Sequence, residues 1–278
     1  MYFNLLPFVV AYCDGVNGLI LSGSLFTFDC IMIDIVLPLG SGGLGSLLGG
    51  EEGEMRYALR SWELNLLGIR DIWVVGERLP SWSKGLNLLY FKETERSPEL
   101  KEFRIFSKVL YACQQEFISD DFLFVNDDHF ILQPFVAKDF PYHYREEDMI
   151  DTINNVHKDG AWKTTMRNTR EHLVNSGFEA KMFDTHCPII YNKFQFSLLD
   201  RIDWSKPYGY GIKSLYANRG MISGIKYPDG KLFPSEQNEA RLAAKIANRP
   251  YISTSPIIPK EQAEIIMQLF PEKSRFEI

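Results

Sequence analysis

The sequence predicts an α/β fold, with a mostly parallel sheet and helices on both faces. Three observations carry that expectation. Apolar runs at Ile33 to Pro38, Ile69 to Val75 and Phe122 to Val125 are bounded by polar residues and have the length of strands buried on both sides. Amphipathic segments, Glu51 to Asn65 and Phe103 to Phe117, fall between those runs. The resulting order of strand, helix, strand, short strand, helix, strand is an α/β layer order with parallel pairing. At 278 residues the chain suits one large domain, or one domain with an elaborated second lobe.

The first 31 residues contain no Lys or Arg, and Asp14, Asn17 and Gly18 interrupt their apolar character. A secretory leader opens with positive charge, and a membrane span needs roughly 20 nearly uninterrupted apolar residues. Neither pattern is met, so the expectation is that Met32 is the natural start and residues 1–31 are a dispensable extension. Residues 32–135 then form the first half of the domain and 136–278 the half that completes the site. Ile33 to Pro38 is the first strand. It runs into Gly40-Ser41-Gly42-Gly43-Leu44-Gly45-Ser46, a glycine-rich turn that either lets backbone approach phosphate oxygens or is simply a flexible loop.

Acidic residues open the segment Glu51 to Asn65 and Gly68 follows it, as helix polarity favours. Met55, Leu59, Trp62 and Leu66 make its buried stripe, while Arg56 and Arg60, four apart, share another face. Leu86 to Phe91 reads as a short third strand. Phe103, Phe106, Val109, Leu110 and Cys113 form the apolar face of the second helix, which delivers the chain to Phe122. Beyond Pro134 the text turns aromatic and Pro-rich, then polar from Glu146 to Asp159. Asn168 to Ser176 and Tyr210 to Arg219 read as helical pieces.

Chemistry concentrates where Phe122-Leu123-Phe124-Val125 ends in Asn126-Asp127-Asp128. Open α/β sheets present their ligand crevice at the carboxyl ends of strands, and adjacent carboxylates there repel unless something positive joins them. A divalent cation holding a nucleotide diphosphate meets that need; a strand-ending Asn/Asp turn is the plainer reading. The net charge of −6 offers no basic stripe for nucleic acid. Four cysteines, Cys13, Cys30, Cys113 and Cys187, lack metal-ligand spacing and read as reduced core thiols of a cytoplasmic protein.

Glu54-Met55-Arg56-Tyr57-Ala58-Leu59-Arg60-Ser61-Trp62-Glu63 resembles the ELRYSLRSIE signature of the Stealth family of sugar-phosphate transferases. Ile69 to Val75 with Pro80-Ser81-Trp82 is similar to that family's next strand and P-x-W loop, and Phe122 to Asp128 to its FLYFNDD element. Order and spacing agree from Glu54 to Leu132. The family's opening Y-T-W-V-D/N-G is replaced here by Val36-Leu37-Pro38-Leu39-Gly40-Ser41-Gly42, and its C-terminal D-x-N-D-N element has no clear counterpart. The resemblance implies a compact relative with a glycosyltransferase A-like nucleotide-sugar-binding sheet. It further implies a nucleotide-sugar donor, Mg²⁺ or Mn²⁺, and a carbohydrate or lipid-linked sugar acceptor, as in surface polysaccharide synthesis. Lipid-linked acceptors would draw the protein to a membrane surface; no nucleic acid and no transmembrane segment are expected.

On this reading Asp127 and Asp128 bind the metal. Asp184 and His186, in Asp-Thr-His, share one face if extended, and His186 is a third metal ligand, the base for the acceptor hydroxyl, or a buried structural histidine. Arg56 and Arg60 hold phosphate oxygens or pair with Glu63 or Glu52; Lys213 and Arg219 add phosphate contacts or are surface charge. Gly40, Ser41 and Gly42 approach the donor backbone to phosphate, and Asn126 orients the carboxylates or meets a ribose hydroxyl. His129 alternates away from Asp128, while His143, His157 and His172 are surface or packing residues. Trp82 and Tyr142 offer sugar-stacking faces or core packing. Sugar-1-phosphate transfer releases a nucleoside monophosphate and plain glycosyl transfer a diphosphate. A glycan-binding module on the same fold is the alternative of another class, and a phosphohydrolase built on Asp127 and Asp128 leaves the Arg-bearing helix unexplained.

Overall fold

The computed structural model describes residues 10–13, 16–21, 24–27, 31–40, 53–93, 97–155 and 159–278. Ser41, Gly42 and the rest of the glycine-rich loop, with Cys30 and His157, lie outside the described residues. Within the first 31 residues, Val10–Cys13, Val16–Leu21 and Ser24–Thr27 pair antiparallel in a sheet of their own.

The central sheet is built from β1 (Ile33–Pro38), β2 (Ile69–Gly76), β3 (Asn87–Tyr90), β4 (Asp121–Phe124) and, after β5 (His129–Ile131) in a small second sheet, β6 (Ile189–Asn192). Its spatial order is β6-β4-β1-β2-β3, parallel throughout except for β6. The chain therefore leaves β1 towards β2 on one side and returns to β4 on the other. That reversal is a topological switch point, and the ligand crevice of such sheets opens at its carboxyl end.

Alternation along the strands explains the two layers. Ile35 and Leu37 of β1, with Leu123 and Val125 at β4, pack into the core formed with α1 (Gly53–Asn65). Val36, Phe122 and Phe124 face the opposite core with α2 (Lys101–Cys113). Successive strand residues point to opposite faces, so one apolar run feeds both cores. The fully buried Asp34 within β1 is neutralised by Arg70, whose Nε donates to Oδ1 at 2.8 Å and whose Nη2 donates to Oδ2.

The first helix ends as expected at Asn65, and Gly68, with φ of 77°, turns the chain into β2 from a region L side chains avoid. The second helix stops at Cys113, four residues short of the expected Phe117. Phe117 leaves the helix to pack, tilted, against Trp73 with ring centroids 4.6 Å apart, and its carbonyl accepts from Arg70 Nη2 at 2.6 Å. A stronger departure concerns Asp184 and His186, which lie in coil and not on a strand; β6 begins only at Ile189, after Pro188. Lys213 Nζ donates to the carbonyls of Thr185 and Cys187 at 2.7 and 2.6 Å, so a side chain satisfies backbone that a ladder would otherwise serve.

In the second half, α3 (Met149–Asn155) precedes α4 (Ala161–Asn175), which begins seven residues before the expected Asn168. The segment α5 (Ile212–Arg219) ends at Gly220 as expected. Then come α6 (Glu239–Ala247), β7 (Tyr251–Ser253), which pairs antiparallel with β5, and α7 (Lys260–Leu269). Cys113 and Cys187 are buried free thiols. No helix among the described residues is long and apolar enough to cross a membrane.

Candidate active site

Asp127 and Asp128 lie three and four residues past the end of β4, at the carboxyl end of the β1/β4 switch point, and both are half-buried. The chain between β4 and β5 folds back on itself: His129 N donates to the Asn126 carbonyl at 3.2 Å, and Asn126 N donates to His129 Nδ1 at 3.1 Å. Helix α1 fixes this return. Trp62 Nε1 donates to the His129 carbonyl at 2.7 Å, Asn65 Nδ2 to that of Ile131 at 2.7 Å, and Ile131 N to Ser61 Oγ at 3.0 Å. The helix that carries the family-like signature is thus a clamp on the strand after the carboxylates.

From the other side, β7 brings Ser253, whose Oγ donates to Asp128 Oδ2 at 2.6 Å, and Thr254, whose Oγ1 donates to Glu54 Oε1 at 2.6 Å. Lys231 pairs with Ser253 across a parallel bridge. Its Nζ lies 3.1 Å from His186 Nε2, and His186 Nδ1 lies 2.9 Å from Asp229 Oδ1. Buried His129 feels this convergence. Its pKa is held well below the ordinary value, first by burial and then by the nearby charges, Lys213 and Lys231 among them.

Asp184 is half-buried and accepts from Trp162 Nε1 at 3.0 Å. It shares its surroundings with Glu102 at the start of α2. Burial, and then the charge of Asp184, push the Glu102 carboxyl up to about 7. Just past the carboxyl end of β1, the buried Lys108 donates to the Leu39 carbonyl at 2.6 Å and pairs with Glu93.

Several expectations are corrected by this geometry. Both ring nitrogens of His186 are engaged, and an ammonium can only donate, so Nε2 must accept from Lys231 and Nδ1 carries the proton towards Asp229. In that arrangement His186 offers no lone pair to a metal or to an acceptor proton. Arg60 donates through Nε and Nη2 to both oxygens of Glu277, at 2.7 and 2.8 Å, and through Nη1 to the carbonyls of Phe270 and Pro271. Arg56 lies 3.8 Å from Glu277 and 4.8 Å over the Trp82 ring. Arg60 therefore anchors the last residues of the chain, with Glu277 in place of Glu63 as its partner and Arg56 beside the same carboxylate; Glu52 lies outside the described residues, and Trp82 meets a guanidinium. Lys213 spends two N–H bonds on carbonyls, leaving its charge at the site but not an open fork. Arg219 sits against His172, at 3.2 Å, away from these groups. Tyr142 donates to the Ile190 carbonyl at 3.1 Å and packs into the core.

The residues that sequence reasoning missed are Glu102, Asp229, Lys231, Ser253 and Thr254. One signal was available for the last two: Tyr251-Ile252 ending in Ser253-Thr254-Ser255 repeats the logic of an apolar strand ending in polar groups.

Among the described residues no cluster of three or more His, Cys, Asp or Glu side chains is arranged to enclose a metal. Mg²⁺ commonly takes one or two carboxylates and completes its shell with water and substrate phosphates. Asp127 and Asp128 fit that donor set, whereas both ring nitrogens of His186 already have partners.

No family model matches the sequence. No curated protein matches it either. Among solved structures, the chain is similar to a glycosyltransferase involved in glycosylation of the major capsid of PBCV-1. The identity is 12% and the TM-score 0.39, over 85% of this chain and 99% of that one. It is also similar to the apo-form glycosyltransferase GlyE of Streptococcus pneumoniae TIGR4, at 10% identity and a TM-score of 0.36, over 87% of this chain and 61% of that one. Overlap at that level adds nothing to what the site itself supports.

Proposed function

We propose that the protein transfers a sugar-1-phosphate, or a sugar, from a nucleotide-sugar donor to a carbohydrate hydroxyl. The observation that carries this reading is the position of Asp127 and Asp128 at the switch point, with Lys213 and Lys231 converging on the same end of the sheet. Carboxylates alone suit a cation and cations alone an anion; together they suit a metal-bound diphosphate. Asp127 and Asp128 would hold Mg²⁺ or Mn²⁺, which neutralises charge developing on the leaving phosphate. Ser253 fixes one oxygen of Asp128 and leaves the other for that purpose. Asp184 is the assigned proton acceptor for the incoming hydroxyl, since Trp162 occupies only one of its oxygens and His186 is taken by Lys231. The Stealth-like block favours transfer of phosphate with the sugar.

The test is release of nucleotide from a panel of nucleotide sugars, with and without Mn²⁺, read by mass spectrometry in wild type and Asp128→Asn. Metal-dependent monophosphate release that falls at least a hundredfold in the variant is expected, the order of loss for a charge-stabilising group. Diphosphate release assigns plain glycosyl transfer. Donors that bind but stay intact with acceptors present turn the reading to a glycan-binding module.

A further inference from the structure

We infer that Lys231 is the cation that receives the donor's diphosphate, and that Asp229 and His186 exist to hold it there. This rests on the transferase reading for the identity of the anion. The geometry is a chain of three side chains. Asp229 Oδ1 accepts from the backbone N–H groups of His186 and Lys231, at 3.1 and 3.2 Å, as well as from the His186 ring at 2.9 Å. Burial by itself would push this carboxyl up, but the hydrogen bonds from the His186 ring and from the His186 and Lys231 backbone outweigh it and hold the pKa well below the ordinary range. An ionised Asp229 fixes the ring proton on Nδ1, and the lone pair on Nε2 then receives one N–H of Lys231 at 3.1 Å. The remaining two N–H bonds of Lys231 have no partner among the described residues.

A lysine so tethered loses much of its rotamer freedom before any ligand arrives, which lowers the ordering cost of binding. The tether also sets its location. Lys231 bridges to Ser253, and Ser253 is bonded to Asp128, so the ammonium belongs to the same end of the sheet as the metal-binding carboxylates. Gly230 makes the approach possible: a Cβ there would meet the Tyr251 ring at 2.9 Å and the His186 carbonyl at 3.2 Å. Basic groups surround the turn as well. Arg145 lies 3.8 Å from Asp229, Arg249 Nη1 donates to the Pro228 and Asp229 carbonyls, and Lys245 Nζ donates to the carbonyl of Lys231. Glu236 pairs with Lys245 through both oxygens, so Asp229 and Glu236 set two carboxylates against these four cations; the excess of positive charge that remains beside Asp127 and Asp128 complements a diphosphate shared with a metal.

The experiment is calorimetric titration of inorganic pyrophosphate with Mn²⁺ into the full chain, for wild type, Lys231→Met, Lys231→Arg and Asp229→Asn. Thermal melts check that each variant is folded. Lys231→Met is expected to weaken pyrophosphate about tenfold, the worth of one charge-assisted hydrogen bond, with Lys231→Arg restoring part of the loss. Asp229→Asn is expected to weaken it about threefold, a smaller share of the same bond, and to move the His186 ring proton between nitrogens in ¹⁵N spectra. A role in packing alone would leave both the affinity of the folded variants and that tautomer unchanged, and either result overturns the assignment. Failure of wild type to bind pyrophosphate overturns it too. Lysine-dependent pyrophosphate binding in a protein that turns over no nucleotide sugar keeps the assignment of Lys231 and removes the transferase reading.

Discussion

Glu102 shows how one residue acquires chemistry that its neighbours in sequence do not foreshadow. It opens an ordinary amphipathic helix, yet the fold sets it beside Asp184, and burial together with that charge pushes its carboxyl up to about 7. A raised carboxyl pKa means that the folded state holds a proton which the unfolded chain has already released. Stability therefore falls as pH rises from about 4.5 to 7 and stays reduced above that. Glu102→Gln removes the effect. It is expected to be more stable than wild type by about 2 kcal/mol at pH 8, discounted for partial exposure, and nearly equal at pH 4.5. Urea unfolding at the two pH values measures the difference; equal gains at both would show that Glu102 is not proton-linked.

At the scale of elements, α1 is the part whose role changed most between sequence and structure. Its stripe of Met55, Leu59 and Trp62 is fully buried as the 3.6-residue period requires, and Trp62 alone contributes on the order of 2–3 kcal/mol by burial. Its arginines work at a distance in sequence. Glu277 is buried, and although burial pushes its carboxyl up, the Arg60 hydrogen bonds keep its pKa below the ordinary value. Removing one partner leaves a buried charge uncompensated, so Arg60→Met is expected to lose about 3 kcal/mol in urea unfolding. The double variant with Glu277→Met is expected to regain most of that loss, because two apolar side chains leave no orphaned charge. A double variant no better than the single one would mean that packing of the last turn, not the ion pair, holds the tail to α1.

The whole molecule carries an acid sensitivity that follows from its buried histidines. Burial lowers His143 from 6.5 to about 4, and His129 is lowered further still. Below pH 6.5 the unfolded chain takes up protons that these folded rings refuse, so stability falls with acidification from 6.5 to about 4. His143 alone accounts for roughly 3 kcal/mol over that window, at 1.36 kcal/mol per unit. Glu102 acts in the opposite sense between 4.5 and 7, and the two histidines together outweigh it. His143→Gln is expected to flatten the pH dependence of the urea midpoint between 6.5 and 4. An unchanged slope would place the sensitivity elsewhere, Asp229 and Glu277 being the next carboxylates to lose their partners at still lower pH.

The sequence by itself determined the α/β layering, the limits of β1, the buried stripe of α1 and the two aspartates at the end of a strand. Those features are local: apolar runs of strand length, a 3.6-residue period and polar groups ending an apolar run are written in consecutive residues. Only the tertiary structure decided that β4 lies next to β1, which set the pair of carboxylates at a topological switch point. It alone set Arg60 on Glu277 with Arg56 beside it, and His186 between Asp229 and Lys231. It alone brought Ser253 to Asp128 across 125 positions. The reason is physical: a charged side chain takes the partner that folding places within hydrogen-bond reach, and residues that far apart in the chain leave no periodicity by which their meeting can be read.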